Sequence, residues 1–197
     1  MKRIVLASTS PRRRELLNQI GLSFDIIPSS TLEKDIDSSD PIQGSIEAAE
    51  IKALNVAAKL SGDVLVIAAD TVVVIDGMVL GKPKDKDEAK SILRRLSGRV
   101  HEVITGFFVI NVLTDKRSSG YERTRVWFRQ LTEEEITSYV ESGEPMDKAG
   151  AYGIQDLGSL LIKRIEGCYF NVVGLPISSL CEVLKDFGVN PLLRINS

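Results

Sequence analysis

One histidine, His101, and two cysteines, Cys168 and Cys181, are all the imidazole and thiol that 197 residues provide. A zinc centre built on several histidines is therefore excluded, and no HExxH occurs. A serine hydrolase would have to recruit His101, and no GxSxG elbow accompanies it. His101 lies in a β-like segment and reads as structural. The cysteines form no CxxC pair and read as free buried thiols rather than a disulfide. No GxGxxG is present for a dinucleotide. Long apolar runs are also missing. The longest, Val64 to Ala69 and Thr71 to Ile75, fall far short of the roughly 20 residues that cross a bilayer. Only four apolar residues follow Lys2-Arg3 before Ser8, too few for a secretory signal. These absences predict a cytoplasmic protein with no membrane association. A net charge of −2 supplies no global basic field, so nucleic acid is not the expected partner.

What is present is ordinary globular composition, with 43% hydrophobic and 26% charged residues, enough to build one core-bearing domain over 1–197. No repeat, low-complexity tract or linker interrupts it. Ile4 to Ala7 predicts a strand. Ser10-Pro11 opens a helix, with serine as N-cap and proline at the first helical position, and Gly21 ends it. Phe24 to Ile27 predicts a second strand, residues 29–41 a polar loop, and Ile42 to Leu60 a long helix. Val64 to Ala69 predicts a central strand that stops before Asp70. Asp76-Gly77 between apolar flanks predicts a hairpin over Val72 to Leu80. A helix over Asp85 to Leu96 follows, then two β segments, His101 to Leu113 and Gly120 to Gln130. Thr132 with Glu135 predicts a capping box for a helix through Val140. Leu160 to Ile165 and Tyr169 to Val173 predict strands, and Pro176 to Phe187 a helix. Mixing βα units with hairpins predicts an α/β fold with a mixed, twisted sheet and flanking helices.

The candidate chemistry is cationic and carboxylate. Arg12, Arg13 and Arg14 crowd the first turn of a helix, where the macrodipole is already positive and each costs about a few tenths of a kcal/mol. An anion there would reverse the sign, meeting free N–H groups, guanidinium forks and the hydroxyls of Ser8 and Ser10. A phosphate cradle and a solvated basic patch both fit this segment. Asp70 follows a buried apolar strand, as a metal ligand, a general base or a turn residue would. Gly77 to Lys82 is not a Walker A loop, because the glycine spacing and Pro83 both fail. Lys82 reads as a phosphate ligand or a surface lysine. Lys52, among Ala48, Ala49, Ala53 and Leu54, faces a pocket or snorkels at its edge. Glu33 stands in the polar loop. Asp147 to Gln155 carries two glycines that allow close approach, and Gln155 offers a donor and an acceptor to a base edge. Carboxylates with arginines and lysines suit metal-assisted attack on a phosphate.

Taken together, Ala7-Ser8-Thr9-Ser10-Pro11-Arg12-Arg13, Ala69-Asp70-Thr71, Gly81-Lys82-Pro83, Thr105-Gly106, Asp147 to Gln155 and Asn171 to Pro176 resemble the Maf-like nucleotide pyrophosphatases, in that family's order along nearly the whole chain. The resemblance implies a fold related to inosine triphosphate pyrophosphatases, with two lobes around a central cleft. It implies hydrolysis of a nucleoside triphosphate between the α and β phosphates, a divalent cation (Mg2+ or Mn2+) and a homodimer. It assigns the catalytic acid to Asp70, the metal to Asp70 and Glu33, and substrate binding to Ser8, Ser10, Arg12, Arg13, Lys52, Thr71, Lys82 and Gln155. Arg13, Thr71 and Gln155 match the subgroup that prefers dTTP and UTP. Asp156 departs from the pattern, since glycine commonly follows that glutamine. A binding regulator of cell division without hydrolysis, acting on nucleotides or DNA, is the alternative, as is a phosphohydrolase releasing orthophosphate.

Overall fold

The computed structural model describes residues 2–30 and 40–193. In chain order it contains β1 (Arg3–Leu6), α1 (Pro11–Gln19), β2 (Asp25–Ile26), α2 (Pro41–Ala57), β3 (Val64–Ile75), β4 (Met78–Leu80) and α3 (Lys86–Leu96). There follow β5 (Val100–Asn111), β6 (Arg117–Phe128), α4 (Glu133–Glu141), β7 (Ile162–Glu166), α5 (Tyr169–Val173) and α6 (Ile177–Lys185). The sheet has seven strands in the order β2-β1-β3-β5-β6-β7, with β4 paired to β3. β1 is parallel to β2 and β3, whereas β3–β4 and β6–β7 are antiparallel, so the sheet is mixed as predicted. No helix among the described residues is long and apolar enough to cross a membrane.

Local signals set most boundaries. Ser10, Asp40, Asp85 and Thr132 each cap the helix that follows with a side-chain oxygen, and Thr132 with Glu135 forms the full capping box. Asp76 and Gly77 both take positive φ (53° and 74°), the conformation a two-residue hairpin of the predicted kind requires. Three expectations fail. β3 does not stop at Ala69 but runs unbroken through Asp70 and Thr71 to Ile75. Asp70 is thus a mid-strand residue, tolerated because its charge is paired, and the β-branched run Val72 to Ile75 carries the strand onward. Tyr169–Val173 is helix, not strand. The cysteines are unbridged, as expected, but only partly buried.

The chain divides into two compact units. Unit 1 comprises 1–70, 105–122 and 174–197; unit 2 comprises 71–104 and 123–173. β3, β5 and β6 each contribute residues to both. In unit 1, Val64, Val66 and Ala68 of β3 pack with Ala49, Ala53 and Val56 of α2 and Phe108 and Ile110 of β5. In unit 2, Leu93 and Leu96 of α3, Ile136 and Val140 of α4, Phe128 and Tyr152 share a second core.

Candidate functional site

In unit 1 the serine-rich turn leaves β1 in step with β3. The Ala7 N–H donates to the Ile67 carbonyl at 2.8 Å. Ser8, buried, accepts at Oγ from the Ser10 N–H (3.2 Å) and from the Arg13 guanidinium (3.3 Å). Ser10 Oγ in turn accepts from the Arg13 N–H at 3.5 Å. Arg13 Nε donates to the Gly174 carbonyl at 2.8 Å, so this arginine braces the turn against the segment that enters α6. Arg12 is half-buried and Arg14 exposed. The first turn of α1 holds no acidic residue, which leaves the positive end of its dipole uncompensated from within that turn.

Asp70 continues the β3 row Val64, Val66, Ala68 at period two and so presents itself to α2. There Lys52 Nζ donates to its Oδ1 at 2.6 Å, with side chains 15% and 21% exposed. A pair this sheltered is costly to break from one side, because the survivor is left charged in poor solvent. Gly106 of β5 explains how α2 comes close enough. A Cβ there would stand 2.5 Å from both the Ile46 nitrogen and the Ser45 carbonyl carbon. Only glycine lets β5 pass against the α2 backbone, two turns before Lys52. The turn after Leu6 also opens near Asp70. Leu6 pairs with Ile67, and Asp70 lies three residues on, roughly 10 Å along the strand.

In unit 2, Asp147 to Gln155 forms no regular element beyond short 3-10 turns. Gly150 and Ala151 both adopt left-handed backbone, φ 69° and 56°. The Gly150 N–H donates to the Gly81 carbonyl at 3.0 Å, which brings the Gly81-Lys82-Pro83 segment to this stretch. Lys82 is exposed; Thr71 and Gln155 are half-buried. Tyr152 is buried, its hydroxyl 2.6 Å from His101 Nε2. The rings of His101, Phe128 and Tyr152 meet edge to face with centroids 4.7–5.3 Å apart. Burial pushes the His101 imidazole down to about 3 and raises the Tyr152 phenol, so both stay uncharged near neutrality. His101 is structural, as its sequence context indicates.

Among the described residues no three histidine, cysteine or acidic side chains cluster. Glu33, the implied second metal ligand, lies outside the described residues. Hard divalent ions that lean on substrate phosphates need only one or two protein carboxylates, and Asp70 is a sheltered carboxylate of that kind. The donor chemistry fits Mg2+ or Mn2+. Glu144, which accepts from the Leu157 and Gly158 N–H groups, carries no signal in the sequence, since its partners lie up to 14 residues away.

A family model described as Maf-like protein matches residues 3–187. A dTTP/UTP pyrophosphatase of Carboxydothermus hydrogenoformans is 51% identical over 186 residues, covering 94% of this chain and 99% of that protein. Another, from Alkaliphilus oremlandii, is 51% identical over 193 residues, covering 98% and 100%. Among solved structures, a HAM1 protein from Coxiella burnetii is similar with a TM-score of 0.53 at 16% identity, over 94% of this chain and 100% of that one. That last likeness is one of fold.

Proposed function

The chain belongs to the Maf-like protein family, and from that premise we propose that it is a nucleoside triphosphate pyrophosphatase that cleaves dTTP and UTP to the monophosphate and pyrophosphate. The observation that carries the reading is the sheltered Lys52–Asp70 pair at 2.6 Å, whose aspartate stands on the strand that pairs with β1 just ahead of the serine turn. Cleavage at the α-phosphorus needs a directed water and neutralisation of the charge that moves onto pyrophosphate. Lys52 fixes one oxygen of the Asp70 carboxylate, which aims the other at water. Arg12, Lys52 and Lys82 offset phosphate charge, with Ser10 as hydroxyl donor. Arg13 and Ser8 bind phosphate oxygens too, and their contacts with each other and with the Gly174 carbonyl hold the turn in shape. Thr71 binds substrate, and Gln155 reads the pyrimidine edge with one donor and one acceptor. Asp70 with Glu33 would hold a divalent ion, Mg2+ or Mn2+, which would supply additional positive charge against the phosphates. Residues 1–197 act as one functional domain, in the cytoplasm and as a homodimer.

The test is a panel of common and modified triphosphates with Mg2+, assayed for pyrophosphate and orthophosphate separately. Pyrophosphate from UTP and dTTP is the expected result. Preference for a purine overturns the substrate assignment, and orthophosphate alone overturns the reaction. DNA binding that weakens steeply with salt, without hydrolysis, would replace the enzyme with a regulator.

A further inference from the structure

Gln155 occupies the N-cap position of the 3-10 segment Asp156–Leu161, yet its side chain makes no hydrogen bond to that segment. N-cap side chains normally satisfy the first unpaired N–H groups themselves. Here a distant carboxylate does so. Glu144 accepts from the Leu157 N–H at Oε2 (3.1 Å) and from the Gly158 N–H at Oε1 (3.0 Å). The same Oε1 accepts from the Tyr139 hydroxyl at 2.9 Å, and Tyr139 is buried. The other end of the loop is also held. The stem of Lys148 lies 3.0 Å from where a Cβ on Gly153 would stand, and its Nζ donates to the Glu144 carbonyl at 2.5 Å. Gly158 leaves no slack, since a Cβ there would meet the Gly153 carbonyl oxygen at 2.1 Å. Between these grips Asp156 is left-handed at φ 50°, a conformation that costs energy in a non-glycine residue and persists only when its surroundings impose it.

We infer that Glu144 is a positioning residue for nucleobase selection: it takes over the capping of Asp156–Leu161 and fixes the backbone that carries Gln155, so that the Gln155 amide remains committed to the ligand. This rests on the reading of Gln155 as the group that meets the base. Tyr139 and Lys148 act through Glu144, holding its carboxylate and its backbone.

Binding, not turnover, provides the test. Calorimetry with α,β-methylene UTP and the corresponding CTP analogue, in Mg2+, gives a preference ratio for each variant. Gln155→Ala is expected to erase the preference for the uracil analogue. Glu144→Ala is expected to reduce that ratio by about tenfold, because a base-reading amide held loosely discriminates poorly. Tyr139→Phe, which removes one donor to Glu144, is expected to reduce it by about twofold. The double variant Glu144→Ala/Gln155→Ala should do no worse than Gln155→Ala, as residues acting through one contact must. If Glu144→Ala does not fold, Glu144→Gln, which retains one acceptor oxygen, and Tyr139→Phe carry the same measurement. Weaker binding of both analogues at an unchanged ratio means a purely structural role and overturns the inference alone. An unchanged ratio in Gln155→Ala, or no preference in the wild type, overturns the base-reading role and the inference with it.

Discussion

The two units solve different problems with different material. Unit 1 carries its candidate residues on regular elements: parallel strands, a helix N-terminus, and a lysine and an aspartate facing each other from α2 and β3. Unit 2 places its candidate residues on irregular backbone, with consecutive left-handed residues at Gly150 and Ala151 and another at Asp156. Its supports are Tyr152 against His101, both buried and uncharged, and the buried Tyr139 hydroxyl against the half-buried Glu144 carboxylate. Charge acts over distance and tolerates a generic scaffold. Reading the edge of a base needs hydrogen bonds aimed to a fraction of an ångström, and a backbone shaped for that purpose has to be held from behind.

The sharpest way to break this contrast is to remove the charge in unit 1. Asp70→Asn is expected to lower kcat on the order of 10^3-fold, while circular dichroism shows an intact fold. Activity within tenfold of wild type would take Asp70 out of the chemistry. Next in size is Gly106→Ala, which touches no candidate group. Its methyl would press on the α2 backbone at Ser45 and Ile46 and displace Lys52. A loss of roughly 10–100-fold in kcat/KM is expected, since small misplacements of catalytic groups are costly. Wild-type rates would show that α2 is not positioned by this contact.

The smallest effect concerns unit 2 and shows in stability. The folded His101 titrates near 3, below its ordinary 6.5, so between these values the unfolded chain binds more protons than the folded one. The neutral ring's contribution is full above pH 6.5 and is lost as pH falls toward 3. Its slope is about 1.4 kcal/mol per pH unit at most. His101→Gln should therefore be destabilising at pH 7 and progressively less so toward pH 4, as read from urea unfolding midpoints. A stability difference independent of pH would mean the imidazole is not held neutral.

The parts of this molecule visible in the sequence are those fixed within a few residues. Ser10-Pro11, Asp76-Gly77 and Thr132 with Glu135 announce their caps and turns because the partners are local. Asp70 and Lys52 were identifiable as candidates, but not as a pair, because 18 residues separate them. The predicted strand end at Ala69 differs from the observed one at Ile75 for the same reason: a lone aspartate reads as a stop until its counter-charge is known. Tyr169–Val173 has β-forming residues, yet the buried Asn171 amide donates to the Val103 carbonyl and Thr124 Oγ1, and that tertiary bonding accompanies a helix. Glu144 was invisible because capping by a remote carboxylate leaves no spacing rule to find.

The pairing of Lys52 with Asp70 bears on how a polyanion arrives. Partners 2.6 Å apart cancel each other's field within a short distance, and the chain as a whole is slightly acidic. On the proposed function, long-range attraction falls to the guanidinium groups that open α1, the dipole beneath them and the exposed Lys82, while the pair takes part only at close quarters. The rate of encounter should fall with ionic strength through the arginines, and the chemical step, once the nucleotide is seated, should be nearly indifferent to salt.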